Sequence, residues 1–306
     1  MRAFNAVIDA HWPAFHYTLG ESSGPLYDRL GKAPVITQDP GMAAVIYEVP
    51  GLVDEDNDTA VQAASPARYL TDPHPVLAMG NDGFSILCVM KFNTTAMSSV
   101  LALRSSNSDI DALLLITTSR SQPGDISCEG LDWVDSQTRC RTPHAMNDGL
   151  RHVVLATFNA ETRLLSLWVD GDLVDQRLQP RLRLSYDTLR LYLFNNSNVN
   201  QPYTGVLDEV AGFNYVLTRG DIQHITKGVN QSLNWPGAFA GNARTITQDP
   251  VNKVVVRDYR TNQHAAAVVP APNGAWETYL PPGEYDVTYF AQGCPPLCHG
   301  PYHVEG

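Results

Sequence analysis

Apolar runs of strand length, separated by polar turns, set the pattern of the chain. Val153–Phe158 and Leu164–Val169 are apolar, and Asn159-Ala160-Glu161-Thr162 divides them. Runs this short, bounded by turn residues, predict strands rather than helices. A second turn, Asp170-Gly171-Asp172, leads into Leu173-Val174. Asp-Gly between β-formers predicts a hairpin, because a type I′ turn needs positive φ at both central residues. Upstream, Phe84–Phe92 predicts a core strand covered on both faces, followed by strands at Val100–Leu103 and Leu113–Thr118. Downstream come β runs at Arg181–Ser185 and Leu189–Phe194, and then a strand in which Val206, Asp208 and Val210 alternate. Thr218 is placed to cap a short helix, with Asp221 three residues later. The segment Ser119–Gly149 has little periodicity and predicts a long surface excursion.

Asn, Ser, Pro and Gly between Gly228 and Gly241 predict an interdomain linker. The expected domains are therefore 1–228 and 242–306, with 229–241 between them. In the second domain Asn273-Gly274 predicts a hairpin turn. The tail Cys294–Gly306 carries Pro295, Pro296 and Pro301, which excludes it as a central strand and leaves Tyr302 and His303 exposed unless something covers them.

Several phrases together resemble the laminin-G-like, concanavalin A-like jelly roll. Arg151-His152-Val153-Val154 and Trp168-Val169-Asp170-Gly171 fit that family's closing hairpin, and Leu207-Asp208-Glu209-Val210 fits its last strand. Arg151 stands where the family usually carries Trp. Near the start, Tyr17, Leu19-Gly20-Glu21, Ser23-Gly24, Asp28 and Gly31 are similar to the opening of laminin-G-like chains of bacterial viruses. Pro50-Gly51-Leu52 and Asp58-Thr59-Ala60-Val61 continue the match. The resemblance implies that a first strand, Phe15–Leu19, pairs with Val206–Phe213 and closes the domain. Leu280–Val287 resembles a hairpin of small transthyretin-like or carboxypeptidase-regulatory-like sandwiches, and Cys294–Tyr302 looks like tail or capsid-surface proteins of tailed bacterial viruses. The expected fold is all-β: a concanavalin A-like (LamG-like) jelly-roll sandwich followed by a small Ig-like/transthyretin-like β-sandwich.

Composition narrows the partners. A formal net charge of −11 argues against nucleic acid, whose phosphates need a cationic face. No apolar run approaches the roughly 20 residues of a membrane helix. Asp9 and His11 interrupt any signal-peptide core, so synthesis in a cytosol is expected. Among the five cysteines, Cys88 reads as a buried free thiol. Cys128 could pair with Cys140, and Cys294 with Cys298.

Candidate chemistry is sparse. A retaining glycosidase needs two carboxylates about 5 Å apart. Glu129, Asp132 and Asp135 have the wrong spacing for one strand face, and Asp208 and Glu209 should point to opposite faces. Asn195, Asn196, Asn198 and Tyr203, with Trp133 on the excursion, supply chemistry that can hydrogen-bond and stack on sugars; a polar turn and core packing are the alternatives. Asp54, Asp56 and Asp58 form either a solvated turn or a calcium site, since jelly rolls of this family often hold Ca2+ in rim loops; Thr59 and Ser65 depart from an EF-hand. Pro301, Tyr302 and His303 are the expected docking residues. The resemblance implies a non-enzymatic bacteriophage virion structural protein. Its lectin-like domain would adhere to a host-surface glycan, while its C-terminal domain docks to other virion proteins or copies of itself. The alternative is a capsid decoration or tail structural module with no glycan ligand.

Overall fold

Pairing turns the apolar runs into sheets. The structure is a computed structural model that describes residues 4–53, 59–64, 66–78, 82–105, 112–130, 139–179, 188–195, 201–230, 239–242, 251, 253–260, 264–268, 270, 275–278, 283–291 and 296–304. The chain divides into two compact units, Met1–Val216 and Leu217–Gly306. The division falls before the helix Arg219–Asn230 rather than after it.

The first unit contains two antiparallel sheets. One runs, in spatial order, Asp172–Leu178, Leu164–Val169, Arg151–Asn159, Gly83–Lys91, Gly205–Phe213, Thr59–Ala63, Ile46–Pro50. The other runs Cys140–Arg141, Ile126–Glu129, Ala112–Thr118, Ser98–Ser105, Leu189–Leu193, Tyr69–Thr71, Ile36–Gln38. Phe84, Ile86, Cys88 and Met90 of the first sheet share one core with Leu101, Leu103, Leu114, Ile116, Leu191 and Leu193 of the second. Gly83–Lys91 has partners on both edges and is buried along nearly its whole length, which explains its unbroken apolar run. The Asp170-Gly171 turn has φ of 54° and 88°, as a type I′ hairpin requires.

The expected closure of the domain is present. Phe15–Tyr17 pairs with Gly205–Phe213 in the register Phe15↔Gly212, His16↔Ala211, Tyr17↔Val210. Gly212 is required here: a Cβ on it would sit 2.2 Å from Cε1 of Phe15. A bulge between Asp208 and Val210 sets Glu209 at φ 43°. The bulge brings both acids inward, where strict alternation would have parted them. Asp208 accepts from the Leu52 N–H at 2.7 Å, and Glu209 meets His16 Nε2 at 2.5 Å with one proton between them. Asp28 accepts the backbone N–H groups of His16, Lys32 and Ala33 at 2.6–2.8 Å.

Two expectations are corrected, and a third, the exclusion of the tail as a central strand, holds. The excursion Ser119–Gly149 holds two short strands, Ile126–Glu129 and Cys140–Arg141, too brief to show a period. The linker's end forms the strand Phe239–Asn242, which pairs with Ala275–Thr278, while the expected turn at Asn273-Gly274 lies outside the described residues. The tail forms Leu297–Val304, an edge strand of the sheet His264–Val268, Lys253–Asp258, Gly283–Phe290, Leu297–Val304. Val251, Val254, Val256, Trp276, Tyr285 and Val287 make the small core of this second unit. Its helix starts as expected: Asp221 N–H donates to Thr218 Oγ1 at 3.3 Å, and the Thr218 hydroxyl donates to the Asp221 carboxylate at 2.7 Å. The run 181–185 lies outside the described residues.

Two outcomes test the closure. Gly212→Ala should cost about 1–3 kcal/mol by overpacking, and Phe15→Leu should recover part of that loss in the double variant. Strictly additive urea-denaturation energies would show that Gly212 and Phe15 do not confront each other. The second concerns His16, whose burial pushes its pKa down from 6.5 to about 4 against the opposing pull of Asp9. Between those values the unfolded chain binds a proton that the folded chain refuses. Stability is therefore full above about pH 6.5 and drains as pH falls towards 4, by on the order of 3 kcal/mol in all. His16→Gln should flatten that slope in urea midpoints between pH 7 and 4.5; an unchanged slope would assign it to other groups.

Candidate functional site on the outer face of the second sheet

Cross-strand partners share a face of a sheet, so register maps the face turned away from the core. One row reads Glu129↔Leu115↔Ala102↔Tyr192↔Leu70↔Thr37 across six strands. Ala102, Tyr192 and Leu70 form an apolar cluster separate from the main core, which fixes this row on the outer side. The next row reads Arg141↔Ser127↔Thr117↔Ser99. Its hydroxyls are linked: Thr117 Oγ1 and Ser127 Oγ lie 2.8 Å apart, and Ser99 donates to Gln201 Oε1 at 2.9 Å. On the opposite side of the first row, Arg104 and Arg190 face each other across adjacent strands.

Charge gathers on this face. Glu129 is buried between Arg120 Nε at 3.1 Å and Arg139 Nη2 at 2.8 Å. Arg104, Arg120, Arg139, Arg141 and Arg190 thus belong to this one face and its rim in a chain of net charge −11. Most of these side chains are closed to solvent, Ser99, Ala102, Thr117 and Ser127 almost completely and Tyr192, Gln201 and Arg104 nearly so, and they form a polar layer whose hydroxyls bond one another.

The residues expected to contact a ligand are distributed differently. Asn195 and Tyr203 are fully buried. Asn195 Oδ1 accepts from the Gln201 N–H at 3.2 Å, and the Tyr203 hydroxyl lies 2.9 Å from the Lys91 carbonyl and 3.1 Å from that of Val206. Tyr203 therefore ties the sheet together and has no surface to offer a sugar; burial raises its phenol pKa. Asn196, Asn198, Trp133, Asp54, Asp56 and Asp58 lie outside the described residues. Among the described residues no group of three or more His, Cys, Asp or Glu side chains converges to hold a metal. Pro301, Tyr302 and His303 are exposed on the edge strand, as expected.

The remaining candidates are structural. His152 is buried between Asp170 at 2.8 Å and Asp148 at 3.2 Å. Burial pulls its pKa down, but hydrogen bonds and charge from the two carboxylates outweigh this and raise it. Arg151, in the family's Trp position, donates to the Leu52 carbonyl at 2.9 Å. Asp208 and Glu209 are both buried and engaged, and Asp132 and Asp135 lie outside the described residues. Cys88 is a buried free thiol whose pKa burial pushes up to about 12. Cys128 and Cys140 are register partners, buried and free, and Cys140 Sγ approaches the Leu165 carbonyl at 3.2 Å. Cys298 is an exposed free thiol, while Cys294 lies outside the described residues.

Two packed antiparallel sheets closed by their terminal strands define a lectin-like jelly roll. The sequence matches the laminin G profile of the concanavalin A-like lectin/glucanases superfamily over residues 63–223, more than half of the chain. The chain belongs to that superfamily. Among curated proteins none matches it by sequence. Solved structures share the fold at low identity. The Botulinum neurotoxin serotype D ligand binding domain in complex with N-acetylneuraminic acid has TM-score 0.51 and 9% identity, covering 95% of this chain and 73% of that one. The receptor binding domain of botulinum neurotoxin C/D mosaic serotype gives 0.51 and 10%, covering 92% and 71%. Trypanosoma rangeli sialidase in complex with the inhibitor DANA gives 0.51 and 11%, covering 70% of this chain and 32% of that one. The match thus spans about a third of the sialidase chain. No helix among the described residues is long and apolar enough to cross a membrane.

Glu129→Gln tests the electrostatic construction of the face. Loss of the charge leaves Arg120 and Arg139 uncompensated, so stability should fall by about 2–4 kcal/mol, read by urea denaturation at pH 7. A loss below about 0.5 kcal/mol would show the cluster to be solvent-screened.

Proposed function

We propose that this chain is a non-enzymatic adhesion protein whose first unit, a lectin-like jelly roll, binds a surface glycan. The observation that carries this reading is the lectin sandwich itself: two antiparallel sheets packed on one core, with the family profile matched over residues 63–223. A ligand complex with N-acetylneuraminic acid in a structural neighbour of the same fold supports it. Against hydrolysis stands the engagement of Glu129, Asp208 and Glu209 by neighbours in the fold, which leaves none of them facing a second carboxylate across a substrate gap.

The likeness of the opening and closing motifs to chains of bacterial viruses supports a place on the virion, with host-surface glycan as the target. Docking to the particle falls to the second unit, through the exposed edge strand Leu297–Val304. An unpaired edge offers a row of backbone groups to a neighbouring protein.

A glycan array probed with the whole chain tests adhesion. Selective binding to a related group of glycans is expected, and an array blank at every glycan would leave a decoration or tail module without a sugar ligand. Docking has its own test. The double substitution Tyr302→Asp, His303→Asp should abolish incorporation into particles while leaving both melting transitions in place; normal incorporation would assign attachment to the first unit.

A further inference from the structure

Cys128 and Cys140 are direct register partners on neighbouring antiparallel strands, Ile126–Glu129 and Cys140–Arg141. Residues so opposed have Cα atoms about 4.5–5.5 Å apart, inside the range of roughly 4.4–6.8 Å that a disulfide spans. Both side chains lie on the core face of the sheet. The two thiols hydrogen-bond to each other, and the Cys140 thiol donates to the Leu165 carbonyl at 3.2 Å. Glu129 and Arg139, one residue inside each cysteine, are ion-paired at 2.8 Å. The ends of the loop 128–140 are therefore held together before any covalent bond forms. Cys88, the other buried thiol of this unit, faces Val154 and Val210 across its ladders and has no cysteine in register.

The place of the pair in the fold gives a bond there a purpose. Cys140–Arg141 is a two-residue strand at the edge of its sheet, with one neighbour in the ladder. A strand with so few backbone bonds opens at low cost. A covalent link to Ile126–Glu129 would fasten that edge and close the loop against unfolding.

We infer that Cys128 and Cys140 form a disulfide wherever small disulfides outweigh small thiols, by exchange with a low-molecular-weight disulfide such as oxidised glutathione. One protein thiolate attacks the oxidant, its S–S bond breaks, and one small thiol leaves from the mixed disulfide. The second protein thiolate then displaces the other small thiol. Two electrons pass from the protein thiols to the oxidant, and their two protons end on the released thiols. Burial raises the Cys128 pKa well above that of an ordinary thiol, so the attacking thiolate is scarce in the closed fold. Exchange is therefore gated by opening of the Cys140–Arg141 edge. The inference stands apart from the adhesion reading and does not depend on it.

The test uses the whole chain, purified in reductant and moved into an excess of oxidised over reduced glutathione. Remaining thiols are alkylated in denaturant, and the chain is digested with trypsin. Cleavage after Arg139 parts the two cysteines, so the bridge should appear as peptide 121–139 joined to Cys140-Arg141, with Cys88 alkylated. Urea below the unfolding midpoint should speed its formation. The oxidised chain should melt roughly 4–10 °C above the reduced one, and Cys140→Ser should abolish that difference. Where Cys140→Ser fails to fold, the linked peptide in the wild-type chain decides. Both cysteines recovered alkylated after exposure to the oxidant in urea would overturn the inference. So would glutathione retained on either cysteine with no bridge, or a bridged chain that melts no higher than the reduced one.

Discussion

A strand inside a sheet must find partners for the backbone groups on both of its edges, and Gly205–Phe213 meets that demand with three neighbours. Gly83–Lys91 takes one edge. On the other, Thr59–Ala63 pairs with Gly205–Leu207, and Phe15–Tyr17 pairs with Val210–Gly212. The bulge at Glu209 sits where one partner hands over to the next. Its two acids stitch that handover, Asp208 to the Leu52 backbone and Glu209 to His16. Buried carboxylates without partners would cost several kcal/mol each, so each acid commits the segment it touches. The start, the loop after Pro50 and the last strand of the first unit are held at one place by these contacts.

With the first sheet fixed, the second can afford an outer face that is polar. Its inner residues, Leu101, Leu103, Leu114, Ile116, Leu191 and Leu193, supply the apolar burial. The alternate positions are then free of that duty. Linked hydroxyls satisfy one another at Thr117 and Ser127, and Glu129 is held between Arg120 and Arg139. Arg104 and Arg190 end the row as cross-strand partners, with Arg104 engaged within the fold.

Motifs with fixed backbone consequences were legible in the sequence. Asp170-Gly171 required a type I′ turn, Thr218 and Asp221 form the cap, and the terminal strands pair as the family resemblance implied. The second sheet's short strands were not, because four residues at Ile126–Glu129 and two at Cys140–Arg141 cannot display a period. Register hid the arginine pair for a similar reason. Arg104 and Arg190 are far apart in sequence, and only the pairing of their strands makes them opposite. Tyr203 misled in the other direction: an aromatic beside amides looks like a sugar contact, yet its hydroxyl serves the carbonyls of Lys91 and Val206 in the core.

That last contrast carries a general point about reading sites from polar residues. Tyr203 and Tyr192 are the same residue type, both on or beside the second sheet, and both largely out of solvent. What separates them is what each ring does inside the fold. The carbonyls of Lys91 and Val206 meet the Tyr203 hydroxyl, so that ring holds its surroundings through hydrogen bonds. Tyr192 packs with Ala102 and Leu70 on the outer side of the second sheet and acts through its apolar ring. Neither presents an open face, so a tyrosine among polar residues is not by itself a platform for a sugar.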